Sequence, residues 1–144
     1  MSNVSRVCML LALSCACGCS SITDLGLSQE LPVTITSTTT TPPIAPIASI
    51  TGAGDSVVAV IVAPATCGRT LSASAGLSQQ TVVVAVTLTA SGVQACDPIF
   101  GSTTYRAVAH AVPAGTRDAE AILRTVFNGA ASDSVVARNR VMSP

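Results

Sequence analysis

The chain has no lysine and no tryptophan. It has one histidine, His110, and three aromatic residues, Phe100, Tyr105 and Phe127. Only 10% of its 144 residues are charged, seven arginines against seven acids, for a formal net charge of +0. These shortages argue against a nucleic-acid partner, because phosphates call for a basic footprint and unstacked bases for aromatic platforms. No apolar run reaches the roughly 18 residues that a membrane-spanning helix needs. What is present is hydrophobic: 49% of the residues, too many for a chain disordered throughout. The length suits one small domain with a tail.

The strongest local pattern is at the N-terminus. Arg6 is the only charge before Asp24, and it precedes a short apolar stretch, Val7 to Ala16, followed by the small residues Cys17, Gly18, Cys19, Ser20 and Ser21. A basic start, a short apolar run and a small-residue cleavage zone describe an export signal that leaves the mature protein. Four of the six cysteines, 8, 15, 17 and 19, fall in this segment. The segment resembles a bacterial lipoprotein signal, in which a small residue precedes the cysteine that is lipidated at the new N-terminus. Gly18 before Cys19 makes Cys19 the expected lipidation site, with Cys17, after Ala16, as the alternative. The resemblance implies residues 1–18 as the signal peptide and membrane lipid as a partner through the acylated cysteine. Because Ser20 and no Asp follows Cys19, it also implies sorting to the outer membrane. Two or more acyl chains, at about 0.8 kcal/mol per buried CH₂, anchor stably where one does not.

Residues 19–46 read as a disordered tether. The run Ser37-Thr38-Thr39-Thr40-Thr41-Pro42-Pro43 is of low complexity, without helical period, and favours extended backbone. Fully stretched, such a segment reaches roughly 80 Å. Within it, Leu31 to Thr36 alternates apolar residues with Thr and could pair as a strand.

Residues 47–144 read as the folded domain. Val57 to Ala63 is a β-branched apolar run closed by Pro64, the pattern of a buried strand. In Thr81 to Ala90, Val82, Val84, Val86 and Leu88 share one face while Thr81, Val83, Ala85, Thr87 and Thr89 share the other, which predicts a half-buried strand. Weaker patterns cover Thr104 to Val112 and Ser134 to Val141. Gly52-Ala53-Gly54-Asp55, Ser91-Gly92, Pro113-Ala114-Gly115 and Asn128-Gly129 punctuate these runs as turns. Residues 118–127 fit either a helix or a strand; the β-forming Thr125-Val126-Phe127 and the neighbouring strands favour strand. The expected fold is all-β, a small antiparallel sandwich. The run Thr104-Tyr105-Arg106 through Val112-Pro113-Ala114-Gly115-Thr116 resembles a strand and turn of immunoglobulin-like and fibronectin-III-like modules. With the lipoprotein leader, it makes the chain similar to small bacterial surface lipoproteins of that architecture. That likeness implies a fold and no ligand.

Once the leader is removed, Cys67 and Cys96 remain, and in an exported chain two cysteines are most simply one disulfide. Closing that loop is worth roughly 3–4 kcal/mol by chain entropy. Two cysteines with one histidine make a poor zinc set, and no spaced Asp motif for calcium occurs, so neither metal nor cofactor is expected. Gly52-Ala53-Gly54 precedes a strand rather than opening a helix, so it forms a turn and not a dinucleotide site. Asp118 and Glu120 read as a solvated pair beside Arg117 and Arg124. Arg138 and Arg140 read as a solvated face, or else a small basic strip toward lipid headgroups or a partner.

Catalysis by His110 would need a hydroxyl and an acid beside it in space, and no Gly-x-Ser-x-Gly elbow is present. The expected function is therefore non-catalytic: a lipid-anchored module of the bacterial cell envelope, binding another envelope protein or a glycan, or filling a structural role. The alternatives are a small secreted hydrolase using His110 and an unlipidated secreted β-protein.

Overall fold

The computed structural model describes residues 25–66, 68–90 and 101–144. Nine strands, and no helix among these residues, form two sheets packed face to face. The strands are β1 (Gln29–Leu31), β2 (Val33–Thr40), β3 (Ile47–Ala53), β4 (Ser56–Pro64), β5 (Thr70–Ser78), β6 (Thr81–Ala90), β7 (Ser102–Ala109), β8 (Gly115–Phe127) and β9 (Ala130–Ser143). One sheet runs β1-β5-β6-β8-β9 and the other β2-β7-β4-β3. The protein is an all-β sandwich, and the segment that fitted both helix and strand lies within β8.

The expected boundary at residue 47 is corrected. Gln29–Leu31 pairs with β5 and Val33–Thr40 pairs with β7 along its whole length, so part of the presumed tether is sheet. Pro32 sits between them at the point where the chain changes sheets. It has no N–H to place in either ladder, and its carbonyl accepts the His110 backbone N–H at 2.8 Å. Low complexity hid this segment, but threonine is a good strand former once a partner strand supplies hydrogen bonds.

The pairing is antiparallel throughout except between β6 and β8, which run parallel. The connection explains it. After β6 the chain enters the other sheet as β7 and then returns, so two reversals leave β8 pointing along β6.

The core lies between the sheets. Val82, Val84 and Val86 of β6 are fully buried against Ile50, Val57, Ala59 and Ile61 of the smaller sheet. β6 is buried on both faces rather than one. On its outer face Val83 and Ala85 form a second cluster with Leu27 and Ile122, with Leu25 packed against it. Gly76 on β5 makes room for this cover: a Cβ there would meet the Gln29 carbonyl oxygen and come within 2.9 Å of Leu27 Cδ1.

The free sides of the two sheets are drawn together by β3 and β9. A Cβ on Gly52 would stand 3.3 Å from Val141 Cβ. The Asn139 amide donates across the gap to the Ile50 carbonyl at 2.9 Å.

Candidate functional site

His110 follows directly on the end of β7. Its Nε2 is 3.0 Å from Thr34 Oγ1, and its Nδ1 is 3.5 Å from Ser56 Oγ. Ser56 Oγ in turn donates to Asp55 Oδ1 at 3.2 Å. The ring therefore stands between two hydroxyls, and the carboxylate contacts the serine rather than the imidazole. A hydrolytic triad places the acid on the second ring nitrogen, where it fixes the tautomer and steadies the imidazolium. Thr34 is exposed on the edge strand β2, and the cavities described below are lined by other residues. What the contacts do is join the ends of β2, β4 and β7.

The acids and arginines of β8 and β9 form a cross-strand ladder. In register, Asp118 faces Arg140, Glu120 faces Arg138 and Arg124 faces Asp133. The Arg138–Glu120 and Arg140–Asp118 pairs close at 2.8 and 3.4 Å. Each acid thus meets a residue of β9 and not the neighbouring Arg117 or Arg124 that its position along the chain suggested. Arg117 turns to Gln80 Oε1 at 2.8 Å instead. Arg138 and Arg140 likewise do not make an uncompensated basic strip. Asp133, gripped by the Arg124 guanidinium through hydrogen bonds and charge, has its carboxyl held below the ordinary Asp value despite opposition from burial.

An apolar groove of about 360 Å³ opens between the smaller sheet and the β8–β9 hairpin. Pro46, Ile47, Val62 and Pro64 line one side, and Leu123 and Val136 the other. Ile47 is 62% exposed there. A bulge between Ala121 and Ile122 displaces the two strands by one residue and puts Val136 out of the ladder, beside the groove.

Cys19, Cys17, Cys67 and Cys96 lie outside the described residues. Among the described residues no three His, Cys, Asp or Glu side chains gather as a metal site, and no helix is long and apolar enough to cross a membrane. No family model, no curated protein and no solved structure matches the chain.

Proposed function

We propose that this protein is a lipid-anchored module of a bacterial outer membrane, with a non-catalytic binding or structural role. The observation that carries the reading is the junction between leader and domain. Cys19 is six residues before Leu25, and Leu25 and Leu27 already pack on the outer face of the larger sheet. A diacylated or triacylated Cys19 would thus hold the sandwich within about 20 Å of the bilayer, since an extended residue spans at most ~3.6 Å. The long stalk expected from a disordered segment ending at residue 46 is replaced by a short link. In this reading the domain works close to the membrane surface, on an envelope protein or a glycan within reach.

The same reading includes a disulfide between Cys67 and Cys96, formed in an oxidising envelope. The described residues flanking both cysteines support it. Pro64 is in register with Ser102, the Ala65 N–H donates to the Gly101 carbonyl at 3.0 Å, and Thr70 is in register with Thr89. The two segments that carry the cysteines therefore leave the sandwich at one end.

The decisive experiment is the intact mass of the protein extracted from membranes, together with Cys19→Ser and Cys17→Ser variants. The expected product begins at Cys19, carries a diacylglycerol and loses it in Cys19→Ser. A mature product without lipid would overturn the proposal. Loss of lipid in Cys17→Ser alone would keep the anchor and move its site.

A further inference from the structure

The inner face of the smaller sheet changes character along its length. On β2 the inward positions run Val33, Ile35, Ser37, Thr39, and their register partners on β7 run Ala109, Ala107, Tyr105, Thr103. The first half packs against the core. The second half carries hydroxyls: Ser37 and Thr39 are exposed on the edge strand, while their partners Tyr105 and Thr103 are buried, Tyr105 within the core cluster.

At this end the sheets leave a cavity of about 170 Å³. Its deep wall is Thr103, Tyr105 and Leu88, which are 8%, 5% and 6% exposed. Leu71, the register partner of Leu88, continues that wall. The rim carries the hydroxyls of Ser37, Thr39 and Thr66 and the side chain of Arg69.

Two features of the lining stand out. The Tyr105 phenol is more than nine-tenths buried, lines the cavity, and has no hydrogen-bond partner among the described residues. No fully buried side-chain polar atom among the described residues lacks a partner, so the Tyr105 hydroxyl keeps access to solvent through the cavity and is free to hydrogen-bond there. Beside it, Thr103 Oγ1 lies 3.1 Å from Thr39 Oγ1, a pair that leaves spare hydrogen-bonding capacity. The second feature is Arg69, which makes no ion pair or hydrogen bond among the described residues, and no acid is among the described residues that line the cavity. Among the described residues, one arginine without an acidic partner, a phenol without a hydrogen bond and a leucine wall thus converge on a space of about five or six water volumes.

We infer that this notch is a binding site for a carboxylate on a short aliphatic stem. The Arg69 guanidinium would take the carboxylate by its planar fork. The Tyr105 and Thr103 hydroxyls would donate to its oxygens, and Leu71 and Leu88 would cover the stem. One cation balances a monoanion, and the apolar wall disfavours phosphate, which is polar on every side. A free acid and the C-terminal residue of a peptide share this chemistry. The site belongs to the sandwich itself and stands whether or not the chain is lipidated.

The test uses the full chain in detergent, isotopically labelled, with isobutyrate, inorganic phosphate and an N-acetylated peptide ending in valine as probes. Saturable shifts of the Arg69 Nε–H and the Thr103 amide are expected with isobutyrate, with the peptide, or with both, and which of these binds identifies the source. Arg69→Gln should weaken binding about tenfold or more, as loss of a charge-assisted hydrogen bond does. Tyr105→Phe, which keeps the ring and removes the hydroxyl, should weaken it by a smaller factor. Arg69 is exposed, so its variant folds and remains decisive even if Tyr105→Phe does not. Absence of saturation, equal binding of phosphate, or unchanged binding in Arg69→Gln would each overturn the inference.

Discussion

Arg124 grips Asp133 at two points, Nε to Oδ1 at 2.6 Å and Nη2 to Oδ2 at 2.9 Å. The two residues are register partners on β8 and β9, on the outer face beside the bulge. The arginine side chain is 11% exposed and the carboxylate 37%, so the pair is half in water. Its two-point geometry places it above the usual exposed pair, and its exposure keeps it well below a buried one.

The first prediction concerns pH. The folded-state pKa of Asp133 is lowered. Its contribution is therefore fully present above the unfolded value and is lost as pH falls from there through the folded value. Asp133→Asn should cost about 1 kcal/mol near neutrality, a figure discounted for solvent screening. Urea denaturation of parent and variant should converge on acidification below the ordinary carboxylate range. A difference that persists in acid would refute the assignment.

The second concerns Gly76. Adding a Cβ there drives into the Gln29 carbonyl and Leu27. Gly76→Ala should destabilise by about 1–3 kcal/mol, the range for overpacking. The damage should centre on β1. The Ser28 amide, which donates to the Leu77 carbonyl, should lose its hydrogen-exchange protection before the core of β6 does.

The third tests the domain boundary. A fragment of residues 47–144 lacks β1 and β2 and so strips one edge from each sheet. It should lose cooperative unfolding, because Leu31 and Ile35 no longer cover the core. A fragment beginning at residue 25 should retain it. Equal urea midpoints for the two fragments would restore the picture of a mere tether.

The fourth is a small effect. Arg138 and Arg140 are 69% and 74% exposed at the side chain, so their pairs with Glu120 and Asp118 are solvated. Arg138→Gln or Arg140→Gln should change stability by less than about 0.5 kcal/mol, and added salt should shrink even that. A loss above 1 kcal/mol would mean that the ladder carries stability as a network.

Much of the fold was legible in local pattern. A continuous β-branched apolar run marked β4, period-two alternation marked β6, and turn residues separated β7, β8 and β9. β5 was missed, although Leu71, Ala73, Ala75 and Leu77 alternate with Ser72, Ser74, Gly76 and Ser78. Its small residues have weak strand preference, and what holds it is the ladder to β6 on one side and β1 on the other. The hydroxyl-lined notch was illegible for a different reason. Its lining comes from four separated stretches of chain, and nothing about Tyr105 or Arg69 taken singly distinguishes them.

The amino-acid sequence by itself determined the all-β class, the long central strands and the turns between them, because alternation and turn chemistry act over a few neighbouring residues. The tertiary structure alone decided that residues 29–40 join both sheets, that β6 is buried on both faces and lies parallel to β8, and which acids Arg124, Arg138 and Arg140 meet. Those outcomes depend on backbone hydrogen bonds and burial between residues far apart in the chain, and no local preference encodes them.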